Sequence, residues 1–215
     1  AKTGKYAIHI DAAELMVARV TLTALGNRIL HDALRSPGLM YPSTRLVMRT
    51  KAISKNDQNC EWNVFSGTLP KRVYVFQISQ SAFNGTINKN IFNYQRFNIK
   101  KLQVLRNESS IPYSSGIPID SEGHLIYMTT LMAINNPFTI NFNLWEFNHG
   151  YFIACIDVTK DSSAACNDYA NEAATGSLKI MLDYDEPLEE PVTVLCMAEF
   201  DATLMIDGDR NPHWI

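Results

Sequence analysis

A chain of 215 residues, 46 % of them hydrophobic and 19 % charged, can bury a sizeable core without disulfide staples. Its formal net charge of −3 offers no basic field for a nucleic-acid backbone, which argues against sequence-specific nucleic-acid binding. The longest apolar runs are strand-length, so no insertion into a membrane is expected.

Cys60, Cys155, Cys166 and Cys196 form no C-x-x-C pair and read as thiols of a reducing compartment. The acceptor triplets at Asn84 and Asn107 are not expected to carry glycans without a signal peptide. The chain opens on Ala1 rather than Met, and is expected to be processed, trimmed or a piece of something longer.

Period-2 alternation dominates in chain order. In Glu14 to Thr23, Met16, Ala18, Val20 and Leu22 share one face of an expected strand, opposite Arg19, Thr21 and Thr23. Ala24 to Arg35 suits a short helix with Ile29, Leu30, Ala33 and Leu34 on one face, closed by Pro37-Gly38. Strands follow at Arg45 to Ser54, where Leu46 and Met48 alternate with Arg49 and Lys51, at Arg72 to Ser79, and at Asn98 to Arg106. His124 to Ile134 fits a strand or a helix equally. Tyr151 to Thr159, Ser177 to Tyr184 and Pro191 to Ile206 complete the set, the last long enough to require a bend or bulge.

Pro, Gly, Asn and Ser punctuate the connections, and there is no repeat, low-complexity linker or charge block. One domain over residues 1–215 is therefore expected, with about 207–215 as a possible C-terminal arm. Long connections between distant strands favour an all-β, antiparallel, eight-stranded jelly-roll β-sandwich with one or two short helices in its connections.

No catalytic constellation is evident. The five histidines are scattered, and none shows the spacing of a jelly-roll metal site. The acids Asp183, Asp185, Glu186, Glu189 and Glu190 suit a solvated loop that discourages edge pairing better than a calcium site or a catalytic pair. Asp201, Asp207 and Asp209 read as charges at a strand end, and Lys71-Arg72 as a basic pair at a strand's entry. Neither a nucleophile elbow nor a phosphate-binding Gly loop occurs. The chain is expected not to be an enzyme and to need no cofactor or metal.

What remains is an unusual surface composition. Phe83, Ile91, Phe92, Tyr94 and Phe97 are interleaved with Asn84, Asn88, Asn90 and Asn93, and a second segment, "PFTINFNLWEF", brings Phe142, Trp145 and Phe147 together. Aromatics among neutral polar partners describe the middle of a protein–protein interface. These residues are the candidate assembly interface; the alternative is that they cap the open ends of the sandwich.

Three stretches, "YPSTRLVMRTKAIS", "WNVFSGTLPKRVYVFQISQSAFNGTINKNIFNYQRFNIKKLQVL" and "GSLKIMLDYDEPLEEPVTVLCMAEFDATLMIDGDRN", carry a family likeness. The chain resembles, from about Ala13 to Asn211, the C-terminal half of major capsid proteins of Polinton/Maverick elements and adintoviruses. The carriers are Leu69 to Arg72, Ala82-Phe83-Asn84-Gly85, Asn90 with Phe92-Asn93, Ala198-Glu199-Phe200, Ile206-Asp207 and Arg210-Asn211. Tyr74 to Ser79 and the Asn107 to Ile119 loop depart from the pattern.

The resemblance implies a non-enzymatic virion protein, one roll of a double jelly-roll subunit. Three copies of such a subunit form a pseudo-hexagonal capsomer that tiles an icosahedral shell. Implied partners are copies of itself, neighbouring capsomers, an upstream jelly roll of the same polypeptide, and minor capsid or penton proteins. The implied location is the virion, assembled in the host cytoplasm or nucleus. The alternatives are a single-roll vertex (penton) protein, a host-domesticated copy, or a carbohydrate-binding sandwich using Trp62, Trp145 or Trp214 as platforms.

Overall fold

The structure, a computed structural model, describes residues 9–35, 38–134, 142–166 and 174–214. The chain divides into two compact units, one of Ala1–Met40 with Met205–His213 and one of Tyr41–Leu204 with Trp214–Ile215. Its elements begin with α1 (Ala24–Arg35), β1 (Leu39–Ile53), β2 (Asn59–Thr68), β3 (Arg72–Ser79), α2 (Gln80–Phe83) and β4 (Ile99–Arg106). The short strands β5 (Ser109–Ile111) and β6 (Ile117–Pro118) precede α3 (His124–Ile134) and α4 (Leu144–Asn148). The chain closes with β7 (Ile153–Asp157), β8 (Thr175–Tyr184), β9 (Val192–Ile206) and β10 (Pro212–Trp214).

One sheet runs β1-β9-β3-β7 with β10 on β9, and the other β2-β8-β4-β5 with β6 on β4. Leaving β6 and β10 aside, first pairs with last, β2 with β8, β3 with β7 and β4 with β5. This is one long hairpin, coiled so that successive strand pairs fall alternately into the two sheets, which is the wiring of a jelly roll. Its tip is the tight turn between β4 and β5, where Asn107 (φ 50°) and Glu108 (φ 65°) are both left-handed, as a two-residue hairpin turn of this hand requires. The expected all-β jelly roll is thus observed. The described residues hold ten strands and four helices, and β5, β6 and β10 have three residues or fewer.

The core lies between the sheets. Val73 and Val75 of β3, Ala154 and Ile156 of β7, and Val194, Cys196 and Ala198 of β9 are buried. They meet Leu102 and Val104 of β4 and Leu178, Ile180 and Leu182 of β8 in a single cluster. Each large aliphatic side chain removed from water contributes about 1.5–3 kcal/mol. A buried side-chain pair bridges the layers, with Tyr184 donating its hydroxyl to Gln77 Oε1 at 2.5 Å.

Three readings of the pattern require correction. The Asn59–Thr68 strand escapes period-2 analysis because a bulge between Asn63 and Phe65 makes Val64 and Phe65 successive buried residues. In β1 it is Val47 that packs on the core, while Leu46 and Met48 are 58 % and 55 % exposed. The arginines take the inner row. Arg45 lies 5.5 Å from the Phe200 ring centre and Arg49 4.8 Å from that of Phe65, their stems covering apolar surface that a shorter polar residue would leave open. Glu14 to Thr23 forms no strand. Alternation supplies faces, but a strand also needs a partner backbone, and among the described residues this segment has none in a ladder.

His124 to Ile134 resolves as helix α3. It covers the edge strand β7, whose Cys155 N–H donates to Thr130 Oγ1 at 3.0 Å, so a free edge donor is satisfied and the edge is closed to other strands. Residues 207–210 make a turn and 212–214 a short strand where a C-terminal arm is expected.

Candidate assembly surface

The first Asn-rich aromatic segment leaves β3 through α2, whose N-cap Ser79 accepts the Ala82 N–H. Asn90 Oδ1 accepts the Phe92 N–H at 2.9 Å, an Asx turn that lifts Phe92 from the protein. The chain then returns, anchored at Tyr94. The Tyr94 N–H donates to Gly150 O at 2.9 Å and its carbonyl accepts from the Phe152 N–H at 3.1 Å. The described part of the second segment, from Phe142 onward, therefore lies beside the first, and Pro137 to Asn141 lie outside the described residues. A capping box between Asn143 and Glu146 starts α4, and Trp145 stacks on His149 one turn later with ring centres 4.4 Å apart.

The candidate residues divide by burial. Phe147 is 0 % exposed and sits among Tyr127, Phe142 and Phe152, so it belongs to the core rather than to any contact with a neighbour. Phe97 and Phe142 are half-buried against the same core. Tyr94 lies edge-on to Phe76, ring centres 4.8 Å apart, on the outer face of the first sheet. By contrast Phe92 is 69 % and Trp145 67 % exposed. Phe83, Asn84, Asn88, Asn90, Ile91 and Asn93 also face solvent.

Sequence reading missed Ile87, 82 % exposed, because a lone Ile in an Asn-rich stretch has no periodicity. It also missed Tyr151, half-exposed and stacked on Phe142, and the stripe of Leu125, Met128 and Met132 on α3. That stripe has helical spacing and becomes visible only once the segment is known to be a helix.

Two polar clefts indent this surface and share Asn93 and Gln95. The wider, about 750 Å³, is lined by Asn93, Arg96, Asn98, Ser121, Asn148 and His149. The smaller, about 210 Å³, lies between Asn88, Asn90, Lys89 and Glu190. Burial lowers the Arg96 guanidinium from its ordinary value, against the opposing pull of Asp120 and Asp185. Its two terminal nitrogens donate to the carbonyls of Ser121 and Ile119 at 3.0 and 3.4 Å, so the cation is held as part of the wall.

Several of the remaining charges are paired. Asp183, Asp185 and Glu190 of the acidic loop face Lys101, Lys100 and Lys89 at 3.5, 3.6 and 3.0 Å. Lys71 and Arg72 close on Glu199, with Asp201 2.8 Å from the Lys71 ammonium. Among the described residues no group of three or more His, Cys, Asp or Glu is placed to hold a metal ion, and no described helix is long and apolar enough to cross a membrane. Trp62 packs against the core and is not a free platform, whereas Trp145 and Trp214 are exposed.

No protein-family model matches the sequence, and no curated protein sequence matches it significantly. Among solved structures, a chain of the Sputnik virophage determined by cryo-electron microscopy is similar with a TM-score of 0.51 and 17 % identity, over 83 % of this chain and 39 % of that one. The mavirus major capsid protein is similar with a TM-score of 0.45 and 9 % identity, over 82 % of this chain and 41 % of that one. The chain thus spans about two fifths of the length of each. The virophage likeness carries the fold, in agreement with the strand wiring.

Proposed function

We propose that this chain is a structural virion protein, a jelly-roll subunit of a capsid that acts by packing against copies of itself. The observation that carries this reading is the convergence of two Asn-rich aromatic segments on one surface through Tyr94, Gly150 and Tyr151, with Phe92, Trp145, Ile87 and Tyr151 exposed upon it. Apolar anchors surrounded by neutral amides suit burial against a neighbour, because Asn hydrogen-bonds there without the cost of desolvating a charge. The jelly-roll wiring and the likeness to a virophage chain support the same reading.

In its finer form the reading is a double jelly-roll major capsid protein of the Polinton/Maverick–adintovirus type. A further roll then belongs to the same polypeptide, three copies make a pseudo-hexagonal capsomer, and minor capsid or penton proteins are neighbours in the virion. No catalysis is involved; free energy is spread over many modest contacts.

The test is the solution mass of the chain by light scattering across concentrations, for wild type, Phe92→Ala and Trp145→Ala. A wild-type trimer or larger closed assembly that dissociates in both variants, with melting temperature unchanged, supports the reading. Variants that keep the wild-type mass while melting earlier are caps of the sandwich, and that result overturns it.

A further inference from the structure

The wider cleft, about 750 Å³, is walled largely by neutral hydrogen-bonding side chains. Asn93, Gln95, Asn98 and Ser121 line it, and among the described residues none of these four side chains makes a hydrogen bond. A carboxamide carries two donors and an acceptor with two lone pairs, so these groups offer both halves of a hydrogen bond side by side. Asn93 and Gln95 also border the smaller cleft, which continues the polar trough past Asn88 and Asn90.

Charge in the wall is already committed. Arg96 gives both terminal nitrogens to the carbonyls of Ser121 and Ile119, and the lining residues of the wider cleft include no carboxylate. His149 also lines the cleft, and Trp145, exposed, stacks on its ring 16° from parallel. A flat amphipathic surface therefore stands one ring away from the row of amides.

The wall is not arranged for stability alone. Arg96 Nε and Asn148 Oδ1 are buried without a partner among the described residues, and an unpaired buried polar atom calls for an explanation. Phe97 (φ 49°) and Asn98 (φ 55°) are both left-handed, in a tight turn closed by the Ile99 N–H on Arg96 O at 3.2 Å. Such a turn prefers Asn-Gly, and a bulky residue at its first central position is strained. Through that turn Phe97 packs on the core while Asn98 lines the cleft. Backbone strain and orphaned polar atoms gather where a fold serves a ligand.

We propose that this cleft binds a neutral saccharide. Each sugar hydroxyl both donates and accepts, so a vicinal pair engages one carboxamide at both ends, and the C–H face of a pyranose ring lies on the aromatic stack. An anion would need an uncommitted cation. An extended peptide would pair with a backbone edge, whereas this lining presents side-chain amides and a hydroxyl. The inference goes beyond the assembly reading and does not rest on it, although Asn93 and Trp145 belong to both surfaces.

The full chain is applied to an array of neutral, sialylated and sulfated glycans. The best-bound neutral oligosaccharide is then titrated by saturation-transfer NMR against wild type, Gln95→Ala and Asn98→Gly. Gln95 is exposed and glycine accepts the left-handed backbone at position 98, so both variants keep the fold, which identical near-UV spectra check. Expected is binding of neutral glycans by wild type and about tenfold weaker binding in each variant, as for the loss of one or two hydrogen bonds. The light-scattering mass is expected to stay that of wild type in both, which separates the cleft from assembly.

Retention confined to sialylated or sulfated glycans overturns the proposal, because the cleft would then read an anion. An array on which no neutral glycan is bound overturns it too. Affinity unchanged in either variant does the same, since the saccharide would then sit elsewhere on the surface. Binding that falls only together with the assembled mass also overturns it, because avidity rather than the cleft would account for the signal.

Discussion

Arg72 and Glu199, 127 positions apart in sequence, are joined by two hydrogen bonds on the outer face of the first sheet, Nε to Oε2 at 2.5 Å and Nη2 to Oε1 at 3.1 Å. The register of β3 on β9 sets Arg72 directly opposite Glu199. Lys71, 8 % exposed, adds its ammonium at 3.1 Å from Glu199 Oε1. The strand-entry pair "KR", read as a basic pair at a strand's entry, and Glu199 of the closing "AEF" are two halves of one buried cluster.

Removing the anion therefore leaves Arg72 without its carboxylate and Lys71 with Asp201 alone. Glu199→Gln is expected to destabilise the chain by about 3 kcal/mol, the lower end for breaking a buried pair, because Asp201 still compensates Lys71. The urea midpoint of the variant measures it, and an unchanged midpoint would show the cluster to be dispensable.

The same cluster sets a pH dependence. Burial alone raises the Glu199 carboxyl, but the hydrogen bonds and charges of Arg72 and Lys71 outweigh it and hold the group below its ordinary value. A depressed folded value means the unfolded chain takes up protons first. The Glu199 contribution is complete above the ordinary carboxylate value of about 4.3 and is lost as pH falls through the lower folded value. Denaturation between pH 7 and pH 2 should show a wild-type loss below about pH 4 that is shallower in Glu199→Gln.

Between the sheets, Tyr184 and Gln77 form a closed polar pair, with Gln77 1 % and Tyr184 2 % exposed. Tyr184→Phe leaves the amide oxygen buried without its donor and is expected to cost about 1–3 kcal/mol. Adding Gln77→Leu removes the orphan and should recover much of that loss, since replacing both partners of a buried hydrogen bond is nearly neutral. A double-mutant cycle on urea midpoints measures the coupling. Additive effects would show that the two side chains do not depend on each other.

How far the fold was legible follows from where the pattern is regular. Arg72 to Ser79 and Ser177 to Tyr184 were readable because unbroken strands expose their period, and β3 and β8 have the bounds Arg72–Ser79 and Thr175–Tyr184. Asn59–Thr68 was hidden by its bulge. In β1 the faces were read the wrong way round, because hydropathy counts an arginine as outward although its stem and guanidinium cover an aromatic ring. Pairing across 127 residues is a property of register and leaves no local signal. The aromatic surface was half legible: composition flagged both segments, but only the bridge at Tyr94 brings them together, and only packing distinguishes Phe147 from Trp145.

Thiol chemistry offers an independent check of the core. Burial pushes the Cys155 and Cys196 thiols up to about 12 and raises that of Cys60, so all three stay protonated and enclosed at neutral pH. In native protein at pH 8, an aromatic disulfide reagent should react with no more than Cys166, which is half-buried. All four thiols should react in denaturant. Rapid native reaction of a second thiol would mean that the sandwich opens locally near that residue.

The division of the aromatic surface is itself testable on stability. Phe147→Ala empties a fully buried site bounded by Tyr127, Phe142 and Phe152, and should cost about 3–5 kcal/mol. Trp145→Ala, two residues earlier, removes a ring 67 % exposed whose recorded ring partner is His149, and should cost under about 0.5 kcal/mol. Chemical denaturation of the two variants at a concentration where wild type is monomeric isolates these terms from assembly. Equal losses would mean that Trp145 supports the sandwich end, and would remove it from any contact with a neighbour. A large loss for Phe147 with none for Trp145 leaves the indole without a structural task inside its own subunit.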